Sequence, residues 1–187
     1  LKSAYNERTQ MTCERSGQTF FFGHRDGNVG HQVLLPQGAD SRFSESSVLW
    51  NAAEFAEKRQ NSQIAKDMVL ALPDDHQVTL DDKIAMTRRF AETNFVDKGL
   101  AVQMDIHAPH EGEKNWHAHL LITTRRFTKD GQDFGGDSHG REDQDVDLRV
   151  AEEPEEVLPE VQVGARRDVV EVGAEEAVEG QEDQPDR

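Results

Sequence analysis

Residues 106–122, Ile106-His107-Ala108-Pro109-His110-Glu111-Gly112-Glu113-Lys114-Asn115-Trp116-His117-Ala118-His119-Leu120-Leu121-Ile122, decide how this chain is read. Residues 116–124 are rich in apolar and β-branched side chains, which predicts a strand. Side chains two apart on a strand share a face, so His117 and His119 point the same way. Just upstream, residues 100–107 alternate, with Leu100, Val102, Met104 and Ile106 on one face and Gln103, Asp105 and His107 on the other. The short polar stretch between the runs can fold them into an antiparallel pair, setting His107 beside the other two histidines. Two histidines on one strand are commonly plain core or surface side chains. A third on the neighbouring run shifts the balance to a metal site, with positions left open for water or substrate. Mg, Mn and Zn all stay open as the divalent ion, because imidazole ligands alone do not select one. Asp105 shares the His107 face and can orient a ligand histidine from behind.

Working outward, residues 67–72 (DMVLAL) read as a buried strand stopped by Pro73. Thr79 with Asp82 three residues later forms a capping-box pattern for a helix reaching about Asp97, and Gly99 suits its C-terminal stop. Ser44 or Ser46 can cap a second helix over about 46–61. Upstream, strands near 18–23 and 30–35 flank glycines 23, 27 and 30 and read as a hairpin. Residues 1–10 suit a helix end. The expected fold class is α+β, an antiparallel sheet with helices on one face and a polar opposite face. His24, His31, His76, His110 and His139 have no partner spacing and read as solvated or locally bonded.

Of the net charge of −16, most belongs to the tail. Residues 1–136 carry 16 basic and 19 acidic side chains, and residues 137–187 carry 5 and 18. The acidity therefore says nothing against nucleic-acid binding by the first 136 residues. Those residues read as one domain. The tail has no aromatic residue and low complexity, too little apolar surface to offset its ordering entropy, and is expected to be disordered. Cys13 is the only cysteine, so an intrachain disulfide is excluded and a cytoplasmic location is expected. No 18-residue apolar run and no charged-then-apolar leader are present, so no membrane insertion or signal peptide is expected.

The blocks LWNAAEFAEKRQNSQIAKDMVLALP, FVDKGLAVQMDIH and NWHAHLLITTR, with AYNER and HQVLLP nearer the start, resemble the MobA/MobL relaxases over about residues 2–136. The resemblance implies an HUH-type, site- and strand-specific DNA endonuclease that acts in conjugative plasmid mobilisation. It implies a five-stranded antiparallel sheet, His107, His117 and His119 as metal ligands, and Tyr5, the only tyrosine, as nucleophile. Asp67 falls where the family often has an acid near the site. The implied partners are single-stranded DNA at a transfer origin, accessory mobilisation proteins and a secretion coupling protein. Lys66, Trp116, Arg125 and Arg126 are candidate DNA contacts: Trp116 could stack on a base or plug the core, and Arg88 and Arg89 read as solvated.

The family normally begins with a strand ahead of the tyrosine, at the sheet centre, which this sequence does not show; nor is its tail matched. An inactive relaxase remnant is therefore one alternative. A small-molecule three-histidine metalloprotein is another, although cupins follow their HxH with a glutamate and residues 120–126 supply none.

Overall fold

The structure, a computed structural model, describes residues 1–59, 61–135 and 163–164. In chain order it has α1 (Lys2–Glu7), β1 (Gln10–Thr12), β2 (Thr19–Phe21), β3 (Asn28–Leu34), α2 (Ser46–Phe55), β4 (Ala65–Ala71), α3 (Leu80–Asn94), β5 (Val102–His107), β6 (His117–Thr123) and β7 (Val163–Gly164). Short 3-10 turns at Ser41–Ser44 and Val96–Lys98 precede α2 and follow α3.

The alternation in β5 and β6 sets the architecture. Met104 faces Leu120 and Val102 faces Ile122 across the ladder, and these side chains are buried against α3 residues Ala91 and Phe90 and the adjoining Phe95. The same register puts Asp105 opposite His119 and His107 opposite His117 on the other face. The five strands run in the order β3-β5-β6-β4-β7, with the pairs β3–β5, β5–β6, β4–β6 and β4–β7 all antiparallel. β5 pairs directly with β6.

The expected α+β antiparallel fold is what the structure has, with one addition. α3 covers the apolar face, while α1 and α2 reach the polar face. Ser3 of α1 and Trp50 of α2 both donate to Gln103 Oε1 at 2.6 Å. Every residue of β5 is consequently buried, including Gln103 and Asp105 at 0% exposure. The polar face stays open at its histidine end and along β4, where Asp67 and Ala71 are exposed.

Three local expectations need correction. The strands near 18–23 and 30–35 do not form a hairpin. β2 pairs back onto β1 around the left-handed Gly17, and β3 crosses to pair with β5. The missed β1 is three residues long and has no apolar pattern. The second helix ends at Phe55 rather than near 61, because Arg15 Nη1 bonds the carbonyls of Glu54 and Glu57 and closes its last turn. Neither Ser44 nor Ser46 caps it: Ser44 Oγ bonds Ser41, and the N-cap is Glu45 without a side-chain bond. The Thr79–Asp82 capping box is present, and Gly99 takes φ 86° after α3. The expectation of disorder after residue 136 lies outside the described residues, apart from Val163 and Gly164.

Candidate active site

His107 at the end of β5, and His117 and His119 at the start of β6, bring their rings together. Their centroids are 4.8–5.2 Å apart, and one nitrogen from each lies within 4.8 Å of the others. Each ring is fixed from behind. His107 Nε2 donates to the carbonyl of Asn6 at 2.7 Å, and His117 Nδ1 donates to that of Asn115 at 2.8 Å. These bonds choose the tautomers and leave His107 Nδ1 and His117 Nε2 as acceptors, the arrangement used by ligand histidines. Burial pushes the His107 imidazole down to about 4, with the nearby charges of His119, Arg8 and His117 adding to it. Burial also lowers His117. Neutral imidazoles are the ligating form, and His119 Nδ1 is buried without a hydrogen-bond partner. The donor set therefore fits a first-row divalent ion.

Asp67 lies on β4 beside this cluster. Its Oδ1 is 3.7 Å from His119 Nδ1, too far for a hydrogen bond, and its Oδ2 is 3.0 Å from Lys2 Nζ. Burial alone would raise its carboxyl, but His119 and Lys2 outweigh that and hold it below the usual range. Asp105 does not reach a clustered histidine. Its Oδ1 accepts from His31 Nδ1 at 2.8 Å and Asn28 Nδ2 at 2.9 Å, and its Oδ2 from Gln103 at 2.7 Å. Asn28 Nδ2 also donates to the Asn6 carbonyl at 3.1 Å. Asp105 therefore braces His107 through two intermediaries. His31, read from sequence as solvated or locally bonded, joins this network from the exposed side of β3, and only the β3–β5 register reveals it.

Tyr5 is on α1, on the histidine side of the sheet. Phe22 packs edge-on against its ring at 5.4 Å, and the cations of Arg8, Arg25 and Lys2 stand 4.3, 5.2 and 5.5 Å from the ring centre. The Arg8 guanidinium beside the phenol holds it below the ordinary tyrosine value against the opposing effect of burial, and Arg25 and Lys2 add to the lowering. A groove of about 570 Å³ adjoins, lined by Arg8, Arg25, Asn28 and His31 among others.

The sequence-based DNA contacts do not converge here. Lys66 pairs with Ile122 in the β4–β6 ladder and so belongs to the apolar side. Trp116 is half-buried and packs against the apolar core with Lys83 Nζ 4.8 Å over its ring. Arg125 is held by Glu57 at 2.5 and 3.1 Å and by the Gly135 carbonyl. Arg126 lies against Gly99. Among the described residues, the cations around Tyr5 are Lys2, Arg8 and Arg25. The sequence signal for Lys2 and Arg8 is closeness to Tyr5, three residues to either side, and Arg25 has none.

The sequence model of the MobA/MobL family matches residues 1–165. Conjugal transfer protein TraA of Agrobacterium fabrum is 31% identical over 141 residues, covering 70% of this chain and 12% of that protein. Probable mobilization protein MobA of Bifidobacterium longum is 32% identical over 114 residues, covering 61% and 20%. Mobilization protein MobL of Acidithiobacillus ferridurans is 24% identical over 152 residues, covering 69% and 39%. A chain solved for the molecular basis of vancomycin resistance transfer in Staphylococcus aureus superposes with a TM-score of 0.66 at 29% identity, covering 75% of this chain and 69% of that one. The chain thus spans 12–39% of the length of these three curated relatives. Matched over most of its own length by the family's sequence model, the chain belongs to the MobA/MobL family.

Proposed function

We propose that this chain is the nicking domain of a conjugative relaxase, which cuts single-stranded DNA at a transfer origin through a phosphotyrosine. The observation that carries this reading is the bond from His107 to the carbonyl of Asn6, the residue after Tyr5. It ties the only phenol of the chain to the histidine cluster.

His107, His117 and His119 would hold the divalent ion. The chemistry such an ion supplies when bound is Lewis-acid polarisation of a non-bridging phosphate oxygen. The remaining work falls to the chain's own groups. The cations around Tyr5 favour its phenolate, the reactive form. The Tyr5 oxygen attacks phosphorus as the bond from phosphorus to the 3′ oxygen breaks. The phenol proton is given up to solvent, and the departing 3′ oxygen takes one up. The products are a 5′-phosphotyrosyl enzyme and a free 3′-OH. No bond energy is lost to water, so the reverse attack by a 3′-OH rejoins a strand. Lys2, Arg8 and Arg25 supply backbone attraction without reading sequence. Accessory mobilisation proteins and a secretion coupling protein are partners that a transfer role would require.

The test uses end-labelled single-stranded oligonucleotides tiled across the DNA flanking the gene, with Mn²⁺ present. The expected result is one cleaved position and a protein–DNA adduct that mass spectrometry maps to Tyr5. Cleavage without an adduct, or an adduct persisting in Tyr5→Phe, contradicts the reading.

A further inference from the structure

The side chain of Arg8 has more hydrogen-bonding capacity than the fold uses. Its Nε and Nη1 are shielded from solvent and bond to nothing among the described residues. A buried guanidinium with unmade hydrogen bonds is costly unless an anion completes it. The neighbouring Asn6, 0% exposed, also leaves both of its side-chain polar atoms unpaired.

The backbone gives an independent observation. Arg8 ends α1 with φ 61° and ψ 43°, and among the described residues it alone has a positive φ without being glycine. This is a conformation that glycine adopts without strain and a long side chain does not. Such strain persists where surrounding structure enforces it, and it clusters at functional sites. The guanidinium it positions lies 4.3 Å from the centre of the Tyr5 ring and lines the adjoining groove. Its charge also bears on His107 and His117.

We propose that Arg8 is the anion-binding residue of this site, its planar guanidinium, with Nε–H and Nη1–H unused by the fold, donating to the non-bridging oxygens of a phosphate group held against Tyr5. The planar fork matches phosphate oxygens in a way a lysine ammonium does not. This deepens the nicking proposal and rests on it for the identity of the ligand, a DNA phosphodiester. Binding of a phosphate oxyanion can be tested without DNA.

Tyr5 is the only tyrosine, so phenolate absorbance follows one group in the intact, metal-free chain. Arg8→Gly should raise its midpoint by about one pH unit, as loss of an adjacent cation does. Inorganic phosphate should raise the midpoint of the wild-type chain and leave that of Arg8→Gly unmoved. Arg8→Lys, which keeps the charge and loses the fork, should respond to phosphate more weakly than wild type. Glycine relieves the backbone, so Arg8→Gly should unfold in urea no earlier than wild type, which separates a lost site from a lost fold. With DNA, adduct formation should fall on the order of 100-fold in Arg8→Gly.

Equal phosphate responses in wild type and Arg8→Gly, or no response in wild type, overturn the proposal. So does wild-type adduct formation by Arg8→Gly. If the phosphate response follows Arg8 while wild type forms no adduct with any DNA, the anion site stands and the nicking reading falls.

Discussion

His107 Nε2 and the Asn6 carbonyl meet at 2.7 Å, joining the end of β5 to α1 at the residue after Tyr5. The bond does two things at once. It fixes the His107 tautomer so that Nδ1 faces its neighbours with a lone pair, and it pins α1 over the open end of the sheet. Lys2–Asp67 and Ser3–Gln103 pin the same helix at two further points. A six-residue helix has little stability of its own, so these contacts decide where Tyr5 sits.

Metal binding should stabilise the folded chain. At an ion concentration one hundred times the dissociation constant, linkage gives about 2.7 kcal/mol. Thermal unfolding with and without Mn²⁺ or Zn²⁺ should show the rise in wild type and lose it in His117→Ala. That residue is half-buried, so its removal leaves the core intact. A similar rise in the variant would mean that the ion binds elsewhere.

The Arg125–Glu57 pair should give the fold an acid-sensitive component. The hydrogen bonds from Arg125 hold the Glu57 carboxyl below the ordinary glutamate range against the opposing effect of burial. A depressed folded value means stability is present above the unfolded value of about 4.3 and lost as pH falls through the folded one. Glu57→Gln should cost about 1–3 kcal/mol at pH 7 and flatten the stability profile below about pH 4. Urea unfolding across pH reads both, and unchanged acid sensitivity in the variant would remove Glu57 as its source.

Much of this site was legible in the sequence because strand periodicity is rigid. Once residues 100–107 and 116–124 are strands, alternation alone puts His107, His117 and His119 on one face, and their rings do meet. The capping box and Gly99 were legible because caps are local chemistry. The partner of β3 was not. β3 looks like half of a hairpin, and only the long-range match of His31 with Asp105 explains its pairing with β5. The placement of the candidate DNA contacts was hidden for a related reason. Arg125 follows the histidine strand directly, yet Glu57, distant in sequence, claims its guanidinium. Nothing local announces such a claim.

Single-stranded DNA affinity should follow the cations around Tyr5 rather than those read from sequence. Arg25→Ala should weaken binding of a labelled oligonucleotide and reduce the slope of log affinity against log salt by about 0.7, the single-strand value for one phosphate contact. Lys66→Ala, on the apolar side of the sheet, should leave the slope unchanged. The reverse pattern would move the DNA path to the other face.

The core should respond as a close-packed interior. Leu120 is fully buried between α3 and the sheet centre. Leu120→Ala should cost about 2–5 kcal/mol in urea unfolding, a cavity on top of lost burial. A cost under about 1 kcal/mol would show that the two central strands are not packed as described.

The most direct test of the central claim is diffraction from crystals of the chain with Mn²⁺ and a bound single-stranded oligonucleotide, recorded for anomalous signal. The expected result is one manganese peak bonded to nitrogens of His107, His117 and His119, with a DNA phosphorus beside it and within reach of the Tyr5 oxygen. A peak away from those rings, or a phosphate bound on the face that carries Lys66 and Trp116, would contradict it.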